Sequence, residues 1–190
     1  MASMLAMKHH FSLCLAYGYI YSIGGEDRNS KLKDCQRYNI KGNKWEPISA
    51  LLSAREGAAC CKYNVNYLYA IGGCNVKGVE RLDINKLEWT EIAVQQGDDI
   101  MVQGACAIEY SGRLLILGGM FGYKKSDYCL KMSIYDNDEH CICKIENAPV
   151  NWYFVCTSSP IHKGDAIFVV DTNRCVYSYN GRWKEVKYTI

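Results

Sequence analysis

An apolar strand ending in two glycines occurs three times in this chain, and that recurrence constrains its fold more than any other feature. Tyr19-Ile20-Tyr21-Ser22-Ile23-Gly24-Gly25 returns as Tyr67-Leu68-Tyr69-Ala70-Ile71-Gly72-Gly73 and again as Arg113-Leu114-Leu115-Ile116-Leu117-Gly118-Gly119. Gly24 and Gly72 are 48 residues apart, Gly72 and Gly118 46. A fixed period of this length marks one supersecondary unit used repeatedly, each copy burying its apolar face against the next.

A second landmark follows each glycine pair. Tyr38-Asn39 stands seven positions before Trp45, Leu82-Asp83 seven before Trp89, and Tyr135-Asp136 seven before Ile142, where the tryptophan is lost. A fourth, degenerate copy has Ala166-Ile167-Phe168-Val169-Val170-Asp171 in place of the glycine-ended strand and closes on Tyr179-Asn180-Gly181-Arg182-Trp183 with a shorter turn. Before the glycine pairs run segments of small residues, Gly57-Ala58-Ala59-Cys60-Cys61 and Gly104-Ala105-Cys106-Ala107. Turn chemistry at Asn64-Val65-Asn66, Ser111-Gly112, Lys41-Gly42-Asn43 and Asn85-Lys86 divides each copy into four short strands with no helical period.

These features resemble the kelch repeat family from about His10 to Val186. The resemblance implies an all-β fold, a kelch-type β-propeller with four modules of four antiparallel strands, as a closed four-blade ring or a partial propeller. The modules are expected at about 8–49, 50–94, 95–147 and 148–190, within one domain spanning 1–190. In such a blade the innermost strand lines a crowded axis, which suits Gly, Ala and Cys. The glycine pair lets the backbone leave the second strand in a conformation closed to bulkier residues. Tyr and Trp fill the space between blades. Kelch propellers have most often six blades, and no strand from both chain ends is evident to complete a blade here. An open arc exposes two blade faces and favours partners or self-association.

Composition excludes several classes. Hydrophobic residues at 49% against 22% charged describe a globular chain, and a net charge of +2 argues against a nucleic-acid surface. No apolar run is long enough to span a bilayer. Eleven cysteines without an Asn-x-Ser/Thr sequon or a signal-peptide pattern fit free thiols in a reducing, cytoplasmic setting. Five of them, Cys14, Cys60, Cys61, Cys106 and Cys156, fall on expected innermost strands, where free Cys packs as a small hydrophobe, and nothing nearby supplies the exposed, thiolate-stabilising setting that redox sensing needs.

Two readings of metal chemistry are weighed and set aside. His140-Cys141-Ile142-Cys143, with Cys129 upstream, offers zinc-ligand types, but Cys141 and Cys143 flank the repeat's tryptophan position on one strand and lack a second pair at regular spacing. A copper oxidase with a kelch-like propeller needs a Tyr–Cys crosslink and His ligands. The four histidines here are His9 and His10, adjacent near the start, and His140 and His162 in separate modules. No catalytic residue, metal site or cofactor is therefore expected, and no phosphate-binding glycine loop is present.

The segments between second and third strands differ in length while the strands keep register, the mark of a rigid scaffold displaying variable contacts. In kelch propellers these loops and the connections between blades commonly form the partner-binding face. Arg28, Lys31, Lys33, Tyr123, Lys124 and Lys125 then give a basic surface with an aromatic anchor, against the plainer reading of solvated loop charge. Arg55, ahead of a small-residue strand, reads instead as a structural arginine of the repeat. The chain is expected to be a protein-interaction scaffold or adaptor with a protein partner. The alternatives are a structural subunit or homo-oligomer using open blade edges and, less favoured, a metal-dependent oxidase.

Overall fold

The computed structural model describes residues 2–95, 102–121, 124–125, 128–134, 140–147, 160–170 and 175–186. The first sheet is β1 (Ser12–Ala16), β2 (Tyr19–Ile23), β3 (Cys35–Asn39) and β4 (Lys44–Ile48), hydrogen-bonded in chain order and antiparallel throughout. The second repeats it with β5 (Ala59–Tyr63), β6 (Tyr67–Ile71), β7 (Val79–Asp83) and β8 (Glu88–Ile92). Next come β9 (Val94–Gln95), β10 (Val102–Gln103), β11 (Cys106–Tyr110), β12 (Arg113–Leu117), β13 (Met120–Phe121), β14 (Lys124–Lys125), β15 (Tyr128–Ile134) and β16 (His140–Asn147). Of these, β11, β12, β15 and β16 form the third antiparallel sheet. The fourth sheet is β17 (Ile161–Lys163), β18 (Ala166–Val170), β19 (Val176–Tyr179) and β20 (Trp183–Val186). No helix occurs among the described residues.

The sheets stack face to face because alternate residues of each second strand point to opposite neighbours. On β6, Leu68 and Ala70 pack with Cys14, Ala16, Tyr21 and Ile23 of the first sheet, while Tyr69 and Ile71 pack with Ala105, Ala107, Leu114 and Ile116. On β12 the pattern repeats: Leu115 and Leu117 turn the other way, onto Ile167, Val169, Tyr177 and Tyr179 of the fourth sheet. Leu68, Tyr69, Leu114 and Ile167 are fully buried. A buried side chain of leucine size contributes about 1.5–3 kcal/mol, so three such interfaces supply the main driving force for the stack. Among the described residues no apolar cluster joins the fourth sheet to the first. On the outer face of β1, Leu13 and Leu15 remain 53% and 66% exposed.

Each glycine pair is left-handed at both residues, from φ 59° at Gly24 to φ 120° at Gly73. A Cβ at Gly24 would collide with the Arg55 carbonyl oxygen, and one at Gly119 would lie 2.9 Å from the Gln103 carbonyl oxygen. The pair is thus fixed by conformation and by the connection that crosses it. Between β1 and β2, Tyr17 and Gly18 take φ 49° and 77°; Ser111 and Gly112 take 50° and 68° between β11 and β12. Positive φ at both central residues is what a two-residue hairpin turn needs.

Three expectations change in detail. The third sheet gains a fifth strand, β9, parallel to β16, and a small sheet of β10, β13 and β14 occupies what reads as a loop at Met120–Asp127. Ile142 does stand at the tryptophan position, but its cross-strand partner is Met132, opposite Leu114 as Leu82 is opposite Leu68. The seven-residue spacing from Tyr135 therefore is not the repeat's spacing here; Tyr135 itself lies outside the described residues. The innermost strand paired to β18 is β17, and Cys156 also lies outside the described residues.

Candidate binding face

Strand direction gathers the second-to-third strand loops and the connections between modules at one end of the stack, and the tight hairpin turns at the other. The connections are built alike. Leu52 and Ser53 donate their backbone N–H groups to the Glu80 carboxylate at 2.6 and 3.0 Å. Arg55 adds Nε to Glu80 Oε1 at 2.9 Å and Nη1 to the carbonyls of Gly72 and Gly78. Forty-seven residues earlier the same frame recurs: Leu5 N–H donates to Gln36 Oε1 at 3.2 Å, and Lys8 Nζ donates to the carbonyl and carboxylate of Asp34. Trp45 Nε1 donates to the Ala2 carbonyl as Trp89 Nε1 does to that of Ser49. Residues 2–8 therefore occupy in the first module the place that 49–55 hold in the second. Arg55 is the structural arginine that its position suggests.

The inner edge of this face is a stair of backbone bonds. Gly57 N–H donates to the His10 carbonyl at 2.9 Å, and Gly104 N–H donates to the Gly57 carbonyl at 2.8 Å. His10, Gly57 and Gly104 have φ 50°, 61° and 69°. Two modules place glycine at this left-handed step and the first places histidine, a residue that occupies the region at a steric cost.

Beside that step the loop 26–31 folds back. His9 and Glu26 exchange backbone hydrogen bonds at 2.9 and 2.8 Å, and the Asp27 carboxylate accepts the N–H groups of Asn29 and Ser30. Those two bonds hold the Asp27 carboxyl below its ordinary pKa. A groove of about 430 Å³ opens here, lined by Met7, Lys8, His9, Glu26, Asp27, Arg28 and Asn29. Within its lining His9 Nδ1 lies 2.9 Å from the Glu26 carbonyl, and next to it His10 Nδ1 lies 2.6 Å from Glu26 Oε1 and 3.6 Å from Glu56 Oε1. The two imidazoles stack with centroids 5.0 Å apart.

The residues singled out from sequence fall unevenly on this face. Arg28 and Lys33 are exposed at its rim. Lys31 is half-buried and its ammonium donates to the Cys74 carbonyl at 2.6 Å, fastening the first module's loop to the second's. Lys124 and Lys125 form β14 at the same end, and Tyr123 lies outside the described residues. Reading by sequence missed the His9–His10–Glu26–Glu56 grouping, because Glu26 and Glu56 are brought to the histidines by the return of β2 and by the next module. The left-handed step shared with Gly57 and Gly104 was the available signal.

Two of the inner-strand thiols, Cys14 and Cys60, interact with each other. Cys14, Cys35, Cys60, Cys61 and Cys74 are free thiols. A hydrogen bond with Cys60 draws the Cys14 thiol below its ordinary pKa, against the desolvation of its site, and the same bond with burial pushes Cys60 well above. Cys14 thus has a hydrogen-bonding thiol neighbour, in a buried site. Cys35 and Cys61 are raised by burial, Cys35 to about 11.

Residues 7–52 match the Kelch motif family. Among curated proteins, Kelch-like protein 23 of Mus musculus and of Homo sapiens are each 23% identical over 123 residues, 61% of this chain and 21% of theirs. Kelch-like protein 23 of Pongo abelii is 24% identical over 121 residues, again 21% of its length. The chain thus spans about a fifth of the length of the curated relatives it matches. The solved structure titled "Structure of YjhT" superposes with a TM-score of 0.77 at 12% identity, over 98% of this chain and 67% of that one. No described helix is long and apolar enough to cross a membrane.

Proposed function

We propose that this chain, whose residues 7–52 match the Kelch motif, acts as a non-catalytic protein-binding scaffold whose loop end holds a protein partner, in the cytoplasm. The observation that carries this reading is the contrast between the two parts of the first two modules. The sheets are locked by buried cores and the Arg55–Glu80 pair, while the groove at the loop end carries exposed Arg28 and Met7, with Lys33 exposed on the same loop end. A rigid frame with cationic and apolar groups at its rim suits an acidic protein segment, the ordering cost falling on the partner alone. Lys124 and Lys125 extend the same charge, and Lys31 serves by holding the loop.

The test compares affinity purification with the wild type, an Arg28→Glu/Lys33→Glu/Lys124→Glu variant, and a Lys41→Glu/Lys86→Glu variant at the opposite end. Proteins recovered by the wild type and the last variant but lost from the first support the reading. Recovery unchanged by the loop-end charges overturns it.

A second reading, a structural subunit of an oligomer or larger assembly, is favoured by one observation: the exposure of Leu13 and Leu15 on the free face of β1. Light scattering separates the two. Self-association abolished by Leu13→Lys/Leu15→Glu supports an edge interface; a monomer at all concentrations removes the homo-oligomer.

A further inference from the structure

We propose that His9, His10 and Glu26 form a divalent transition-metal site, of the two-imidazole, one-carboxylate type that suits zinc, beside the loop-end groove. The proposal stands apart from the scaffold reading: it needs no partner.

The ligand types are right and converge. One donor atom from each residue lies within 4.8 Å of the others. Bonds of about 2.0–2.1 Å in a tetrahedral shell put ligand atoms roughly 3.3 Å from one another, so side-chain rotations on the order of 1–2 Å close the shell. His10 Nδ1 and Glu26 Oε1, at 2.6 Å, are hydrogen-bonded, and the cation takes the place of the proton between them.

The site is also held in advance of any ligand. His9 and Glu26 are fixed to each other through both backbone groups. The Glu26 carbonyl accepts only, so His9 donates Nδ1–H to it and keeps its Nε2 lone pair free. A ring N–H given to a backbone carbonyl is the arrangement that orients metal-binding histidines. Glu56, 3.6 Å from His10 Nδ1, adds a second negative charge and is itself held by Gln103 Nε2 at 3.3 Å. Both imidazoles are more than half exposed, which leaves coordination positions for water and an entry path.

The backbone gives an independent sign. Successive residues of an extended chain point to opposite sides, yet His9 and His10 stack in parallel on one side. The left-handed φ of His10 does this, at the step where the next two modules have glycine. A strained residue kept where the repeat otherwise uses glycine points to a use for its side chain.

Cobalt titration followed by visible absorption tests the proposal, with zinc as competitor. The expected result is saturable binding of one cobalt per chain, with ligand-field bands and without thiolate-to-metal charge transfer. His9→Ala and His10→Gly each weaken binding by about tenfold or more, while His162→Ala in the fourth sheet leaves it unchanged. His10→Gly restores the repeat's own residue at φ 50°, so it keeps or raises the melting temperature, and loss of metal in that variant is not loss of fold. Absence of saturable binding, a thiolate spectrum, or binding undiminished in a folded His10→Gly chain overturns the site.

Discussion

The Arg55 guanidinium meets the Glu80 carboxylate at 2.9 Å with 2% and 1% of their side chains exposed. Both are multiply bonded, Glu80 to two backbone N–H groups and Arg55 to two carbonyls, so neither charge is left bare. The pair ties the entering connection to β7 and to the glycine turn of its own module. Removing one partner strands the other in a dry site.

Arg55→Ala is expected to lower unfolding free energy by roughly 3–5 kcal/mol in urea titration. Lys8→Ala, at the corresponding place in the first module, costs less, about 1–2 kcal/mol, because its partner Asp34 is 40% exposed. Equal losses at the two positions would contradict the buried-pair account.

Glycine positions separate strain from crowding. Gly18→Ala, at φ 77° with open space around it, is expected to cost about 1–2 kcal/mol. Gly119→Ala adds overlap with Ala105 and the Gln103 carbonyl, raising the loss to roughly 3 kcal/mol or more. Chemical denaturation of both variants checks the order.

Burial raises Cys35 to about 11 in the folded chain. In the unfolded chain the same thiol ionises near its ordinary value of 9.0. The unfolded state then binds fewer protons between these limits, so stability is full below about pH 9 and falls as pH rises toward 11. Cys35→Ala is expected to flatten the alkaline decline by about 2 kcal/mol, read from urea titrations at pH 8 and pH 10.5. An unchanged alkaline slope would refute the assignment.

Deleting residues 2–6 removes the bonds from Leu5 to Gln36, from Ala2 to Asn43 and from Trp45 to Ala2. The expected loss is about 2–4 kcal/mol, from three hydrogen bonds and the uncovering of Gln36. Trp45 fluorescence should shift to the red in the folded variant, since its indole loses its cover. A deletion without effect on stability or emission would show that this segment is dispensable.

Much of the fold was legible in the residues themselves. The glycine pairs, the small inner strands and the Trp45 and Trp89 positions each report a local requirement: left-handed backbone, a crowded axis, a wide gap between sheets. The third module was misread at Tyr135 because a hairpin three residues longer keeps the same pairing, and register is set by cross-strand bonds rather than by spacing. Arg28 and Lys33 were readable as exposed loop charge. The engagement of Lys31 with Cys74 was not, since it depends on where the second module's loop lies.

The sequence by itself determined a repeated four-stranded unit, its approximate period and its turns, because these are set by interactions within a few residues. Only the tertiary structure decided that residues 2–8 serve the first module as 49–55 serve the second. It also decided that Cys14 has a hydrogen-bonding thiol neighbour, and that Glu26 and Glu56 surround His9 and His10. Those relations cross 16 to 47 residues of chain and exist only where one sheet's loop returns against the next. The left-handed turn at His10 is the point where the two kinds of information meet: a residue visible in the sequence, in a conformation that only the stacked modules impose.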